Sequence, residues 1–327
     1  MFVYKFALQS ILKAIFLSLV LLIGLHAQDY PNKPIRIIVP TPPGAGPDSD
    51  LRQMAPRLSQ ILGQPVVIEN KPGASGKIAA EYASKAAPDG YTFILGTPTV
   101  FAIGPFLFNN LNFDIKKDFT PVSLISTAAF ALTVNASVPA ANASAFVSLS
   151  KSNPQFSNVG DIGLGSTPHL AAEWFNSLSN SDLKFIHYNT TTPYADVMGG
   201  QIAGIFEAIL PIYGNVKTGK LKVLAISGKT RSPLLPDVPT FAESGFPTYD
   251  PKVWIGLLAP SETPKQIITK VSNAIKEVAR MPETIQQRRD SFSESVGSSP
   301  EEFAQFLEAE RSKWSDVIKR SNIKIDN

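Results

Sequence analysis

Apolar runs of strand length alternate with stretches of helical period along most of this chain. Ile35 to Val39 is such a run, and it ends in the turn Thr41-Pro42-Pro43-Gly44-Ala45-Gly46. Apolar residues then recur at helical spacing from Asp48 to about Leu62, where Gly63 stops the helix. Val66 to Glu69 reads as a second strand, Ile78 to Ala87 as a second helix and Tyr91 to Leu95 as a third strand. Turns fall at Lys71-Pro72-Gly73 and Pro88-Asp89-Gly90. Strand, helix, strand, helix, strand with short links predicts a parallel sheet covered on both faces.

The same rhythm returns later. Phe156 to Gly160 and Phe185 to Tyr188 read as strands around a helix from about Pro168 to Leu178. A helix over Ala195 to Gly199, a strand over Ile202 to Phe206, a helix over Pro211 to Lys217 and a strand over Lys222 to Ile226 follow. Val122 to Val134 joins the two units as two adjacent β-rich runs. A strand from Trp254 to Leu258 precedes two amphipathic helices, about Pro264 to Ala279 and Pro300 to Ile318. The expected fold class is therefore α/β with two domains. Residues 28–127 with about 250–327 form the first, from both ends of the chain, and 128–249 form the second.

A hydrophobic content of 44% and a charged content of 17% suit a globular protein with real cores and exclude a disordered one. The start of the chain adds a destination. Lys5 and Lys13 precede the apolar run Ala14 to Leu25, which is short for a membrane span, and Leu25-His26-Ala27 is followed by polar Gln28 and Asp29. That is the layout of a signal peptide over residues 1–27, cut near Ala27, and it predicts export to a periplasm without membrane insertion after processing. Without Lys5 and Lys13 the 30 basic residues fall to 28, against 27 acidic ones, with no long basic run. Nucleic acid is not an expected partner. The chain has no cysteine, which excludes disulfides, a thiol nucleophile and a thiolate metal site.

Two glycine loops carry the candidate chemistry. Gly44-Ala45-Gly46-Pro47-Asp48 lies between a strand and a helix, where glycines let backbone approach a ligand and the helix start offers N–H groups to an anion. It fails as a dinucleotide fingerprint, because Ser49 replaces the third glycine. Asp48 either caps the helix or orients the loop. Gly163-Leu164-Gly165-Ser166-Thr167-Pro168-His169 occupies the matching place in the second unit. Two helix starts facing one cleft would hold a carboxylate without arginine or lysine, although Ser166 is equally a simple N-cap. Thr97 and Thr99 follow the third strand, at the edge where open α/β sheets bind ligands. Glu207 ends an apolar strand, facing the cleft or capping a turn.

Catalytic patterns are poor. After processing only His169 and His187 remain as histidines, so a metal site would need both and a placed carboxylate. No Gly-x-Ser-x-Gly elbow and no glycine-lysine phosphate loop occurs. No enzyme activity, metal or cofactor is expected.

Read together, these segments resemble the Bug family, the substrate-binding proteins of tripartite tricarboxylate transporters. Residues 30–46, Tyr-Pro-Asn-Lys-Pro-Ile-Arg-Ile-Ile-Val-Pro-Thr-Pro-Pro-Gly-Ala-Gly, look like the family's opening. Gly63-Gln64-Pro65-Val66-Val67, Asn70-Lys71-Pro72-Gly73-Ala74 and Ala87-Pro88-Asp89-Gly90-Tyr91-Thr92 continue it in order. So do Asp118-Phe119-Thr120-Pro121-Val122, Gly199-Gly200-Gln201, Pro236-Asp237-Val238-Pro239-Thr240 and Ala259-Pro260.

The resemblance implies a Venus-flytrap fold of type II periplasmic-binding topology and a small carboxylate ligand, a dicarboxylate or an aromatic acid. It implies a monomer delivering that ligand to membrane transporter subunits, or alternatively docking on a receptor's sensor domain. By position it implies ligand contacts at Thr41, Gly44, Ala45, Gly46, Asp48, Thr97, Thr99, Phe101, Gly165, Ser166, Thr167, His169, Tyr188 and Glu207. Several residues depart from the pattern. Pro47 replaces a usual hydroxyl residue, Phe101 a usual histidine and Glu207 a usual aspartate, while Asp161 stands where a small neutral residue is common.

Overall fold

The computed structural model describes residues 30–108, 111–188, 192–321 and 323; the expected signal peptide lies outside them. Element order is β1 (Ile35–Val39), α1 (Gly46–Leu62), β2 (Val66–Asn70), α2 (Lys77–Ser84), β3 (Thr92–Gly96), α3 (Gly104–Leu107) and β4 (Phe119–Asn135). Then come α4 (Ala143–Ser152), β5 (Asn158–Asp161), α5 (Thr167–Ser179), β6 (Lys184–His187), α6 (Tyr194–Gly199), β7 (Gly204–Ala208), α7 (Tyr213–Lys217) and β8 (Leu221–Ile226). The chain closes with β9 (Lys252–Pro260), α8 (Lys265–Ala279), α9 (Pro282–Asp290), β10 (Ser293–Ser295) and α10 (Pro300–Ser321).

In the first sheet β2, β1 and β3 run parallel, and β9 and β4 join antiparallel. β1 reads as a continuous apolar run because both of its faces are covered. Ile35, Ile37 and Val39 pack with Leu51, Met54 and Leu58 of α1 and with Ile275 of α8. Ile38 points to the opposite core. In the second set β6, β5 and β7 run parallel, and β4 lies antiparallel to both β7 and β8.

One strand belongs to both sheets. β4 pairs with β9 over Phe119–Ala129 and with β7 from Phe130 onward. Register shifts at Pro121/Ser123 and Leu124/Ser126 let it bend between them. The two β-rich runs expected at Val122 to Val134 are therefore one continuous strand. Its two buried stretches flank a half-buried middle at Thr127–Ala129, which is why it reads as two.

Four further elements were not anticipated: α3, α4, α9 and β10, the last pairing with Ser126–Ala128 of β4. The expected strand over Ile202 to Phe206 sits two residues later, so Glu207 lies inside β7 rather than after it.

The base beneath the two sheets is closed by aromatic packing. Trp314 of α10 meets Trp174 of α5 edge-on with centroids 6.1 Å apart, and Trp174 lies 4.9 Å from Tyr249. The Tyr249 hydroxyl donates to the Ala171 carbonyl at 2.8 Å. The carboxyl ends of β1, β3, β5, β6 and β7 carry the loops that follow.

Candidate functional site

The first glycine loop is built around a buried carboxylate. Asp48 is 0% exposed. Its Oδ2 accepts the Gly44 N–H at 2.7 Å and Arg52 Nε at 2.9 Å, and its Oδ1 accepts Asn70 Nδ2 at 2.8 Å. Asn70 also donates to the Thr41 carbonyl at 3.0 Å, so the end of β2 ties the loop after β1 to α1. Burial alone would raise the Asp48 pKa, but these donors outweigh it and hold the carboxyl below its ordinary value. Ala45, not Asp48, is the N-cap, without a side-chain cap bond. Both Asp48 oxygens are occupied, so its work is to orient the loop rather than touch a ligand.

The helix start itself stays open. The first bond of α1 runs from Ser49 N–H to the Ala45 carbonyl at 2.9 Å. The N–H groups of Gly46 and Asp48 therefore have no acceptor inside the helix, and Pro47 has no N–H to satisfy. A Cβ added at Gly46 would meet nothing within 4 Å. Among the described residues, Thr41 Oγ1 is buried without a hydrogen-bond partner. Gly44 adopts φ +83°, which the tight turn requires of a glycine.

The second loop is pre-paired. Ser166 caps α5, its Oγ accepting the His169 N–H at 3.3 Å. The Gly165 N–H donates to His169 Nδ1 at 3.1 Å, the Ser166 N–H to the Gly163 carbonyl at 3.1 Å, and the Gly163 N–H to Asp161 Oδ1 at 2.8 Å. Among the loop amides before Leu170, those of Leu164 and Thr167 have no such bond among the described residues. The two helix starts are therefore unequal as anion sites, contrary to the symmetry expected from sequence.

The loops do meet. Thr99 Oγ1 and Thr167 Oγ1 are 3.1 Å apart, joining the loop after β3 to the start of α5. Thr97 is buried, and its carbonyl accepts the Phe101 N–H at 3.0 Å. Phe101 corrects an expectation. Its ring is fully buried and packs edge-on to Phe119 at 5.2 Å, while its carbonyl accepts Arg311 Nε at 3.0 Å, so the side chain is core. The Tyr188 hydroxyl donates to Asp196 Oδ2 at 2.5 Å, which leaves it fixed at the mouth of β6.

Spatial convergence at the second edge is richer than the sequence suggested. Asp161 ends β5 and His187 ends β6 in paired register, and His187 Nδ1 donates to Asp161 Oδ2 at 2.8 Å. The His169 ring stands edge-on to His187 at 4.7 Å. Asp161, His169 and His187 offer ligand atoms within 4.8 Å of one another. Their hydrogen bonds oppose metal binding in this arrangement. His169 Nδ1 is already an acceptor, so Nε2 carries the hydrogen, 3.7 Å from Glu173, and neither nitrogen offers a free lone pair. Glu207 lies near this group. Burial, with the charge of Asp161 adding to it, pushes its carboxyl up to about 7 against the pull of the Ala208 N–H.

Comparison with known proteins identifies the relatives of this chain. Residues 51–323 match the family described as "Tripartite tricarboxylate transporter family receptor". The chain is 30% identical to protein BugT of Bordetella pertussis over 301 residues, covering 91% of this chain and 92% of that one. R. palustris Rpa4515, solved with adipate, superposes with a TM-score of 0.81 at 31% identity, over 90% of this chain and 99% of that one. MatC from Rhodopseudomonas palustris, solved with malate, gives 0.77 at 30% identity, over 88% of this chain and all of that one (100%). The mixed α/β architecture is that of the periplasmic-binding-protein fold.

Proposed function

This chain belongs to the tripartite tricarboxylate transporter receptor family, and we propose that it is an exported solute-binding protein that captures a small organic carboxylate for a membrane transporter. The reading is carried by the contact of Thr99, in the loop after β3, with Thr167 at the start of α5, together with an α1 start whose Gly46 and Asp48 N–H groups have no acceptor inside the helix. Amides fixed by Asp48 and Asn70 give an anion directional donors without a mobile cationic side chain. The carboxylates in the structures of Rpa4515 and MatC support the same ligand class.

Two lobes, residues 28–127 with about 250–327 and residues 128–249, rotate about β4 and the entry to β9. A ligand touching both edges favours the closed arrangement by its differential affinity for it. Recognition in this reading ends in release rather than turnover. Among the described residues no helix is long and apolar enough to cross a membrane.

Isothermal titration of the processed protein with adipate, malate and benzoate tests the reading. Saturable one-to-one binding of at least one acid, accompanied by compaction in solution scattering, is expected. Folded protein that binds no organic acid would overturn it.

A further inference from the structure

The two lobes touch at two places besides the strands that join them. Near the site, Thr99 Oγ1 in the loop after β3 lies 3.1 Å from Thr167 Oγ1 at the start of α5. Seven residues further along α5, on the same face and about 10 Å down the helix, Trp174 meets Trp314 of α10 edge-on with ring centroids 6.1 Å apart. α10 also reaches back to the first contact. One turn before Trp314, Arg311 Nε donates to the carbonyl of Phe101 at 3.0 Å, two residues from Thr99. The loop after β3, α5 and α10 therefore form a closed circuit of contacts.

Each member of the circuit is held in place. Trp314 is fully buried, and its indole N–H donates to Glu310 Oε2 at 3.2 Å. The same oxygen accepts Trp254 Nε1 at 3.1 Å, and Lys313 Nζ binds the other oxygen. Trp254 stands in β9 opposite Thr127, in the half-buried middle of β4 where that strand passes from one sheet to the other. Glu310 thus fixes the Trp314 ring to the strands that join the lobes. On the other side Trp174 is backed by Tyr249, 4.9 Å away, whose hydroxyl donates to the Ala171 carbonyl of α5 at 2.8 Å. Arg311 is buried, its Nη1 donating to Glu308 at 2.6 Å.

Resting on the carboxylate-capture reading above, we infer that Arg311 and Trp314 of α10 and Trp174 of α5 are positioning residues of the site. A lobe held at one point tilts about that point, whereas two contacts about 10 Å apart on one helix face fix its angle. The tryptophan pair is the second contact, so α10 sets the angle at which α5 presents its glycine loop to the Thr97–Phe101 turn. None of the three side chains touches the ligand. Without the pair, the lobes stay joined by β4, by the entry to β9 and by one bond between hydroxyls, and the range of interlobe angles widens. A wider range lowers the fraction of molecules competent to bind, and apparent affinity falls with that fraction.

The chain has no cysteine, so spin labels on two engineered ones report a single distance. Gln60→Cys on α1 and Ser144→Cys on α4, both exposed, place one label on each lobe. Pulsed electron paramagnetic resonance of the processed protein without added ligand is expected to give one narrow distance population. Trp174→Ala, at a half-buried position, is expected to add a second population that the native protein lacks. It should also weaken whichever of adipate, malate and benzoate the native protein binds by at least about tenfold. Trp174→Phe keeps a ring against Trp314 and is expected to restore both. Arg311→Met keeps the side chain's length and leaves Glu308 its Lys116 partner, and is expected to act as Trp174→Ala does. A native distance distribution in either variant, once folded, overturns the inference. So does a broadened distribution with unchanged acid affinity, since the contact would then shape the lobes and not the site. Failure of both variants to fold overturns it too, because the contacts would then serve stability alone. Broadened distances in variants of a native protein that binds none of the acids would support the brace and overturn carboxylate capture.

Discussion

Replacing Asp48 with alanine is expected to loosen the first glycine loop and weaken ligand binding with it. The substitution removes one acceptor shared by three donors: Gly44 N–H, Arg52 Nε and Asn70 Nδ2. Arg52 has a side chain 49% exposed, so water replaces its partner and the loss there is under about 1 kcal/mol. Gly44 N–H and Asn70 Nδ2 lose a charge-assisted partner, at about 1–3 kcal/mol each if left unsatisfied. Water reaches the exposed Gly44 more easily than Asn70, so the total is about 2–4 kcal/mol. Asparagine is not a rescue, because one amide oxygen cannot serve donors on both sides and its NH2 would face another donor. Urea unfolding gives the stability change by linear extrapolation, and titration with the bound acid gives the affinity. The effect should exceed that of Ser166→Ala, which removes one capping bond worth about 1 kcal/mol. Native stability and affinity in Asp48→Ala would refute the assignment of Asp48 as the residue that shapes the loop.

Other expectations follow from the same geometry. Gly46→Val should fold as the native protein does, since an added Cβ meets no protein atom within 4 Å, yet lose at least about tenfold in acid affinity; circular dichroism with calorimetry decides, and unchanged affinity would place the site elsewhere. Glu207 adds a slope to stability against pH. Between the ordinary glutamate value and about 7 the unfolded chain releases the proton while the folded chain keeps it, so stability falls as pH rises through that window and levels off above it. Glu207→Gln should remove this contribution; melting temperatures of both proteins from pH 4 to 8 measure it, and parallel curves would count against a raised Glu207.

Much of this fold could be read from local pattern, and the misses have physical causes. β1, β3 and α8 carry strong periods and appear where the sequence puts them. α9 does not announce itself, because Pro-Glu-Thr-Ile-Gln-Gln-Arg-Arg-Asp has no apolar stripe and buries only Thr284 and Arg288. β4 hides its continuity because it changes partners halfway and buries two separate stretches. The site divides in the same way. Both glycine loops and the Ser166 cap follow from residue types at helix starts. Nothing local separates a phenylalanine in the cleft from one in the core, so Phe101 was misplaced. Asp161 and His187 meet through the register of β5 and β6 across 26 positions. Their shared place at the ends of adjacent strands was the available signal.

The central claim, that the open helix start at Gly46 receives an organic acid, is tested most directly by what the protein carries. Mass spectrometry of the small molecules released on denaturing natively purified, processed protein should find one organic acid in near-stoichiometric amount. The same acid should be lost from folded Gly46→Val. No acid released from the native protein, or an equal amount retained by the variant, would contradict the account.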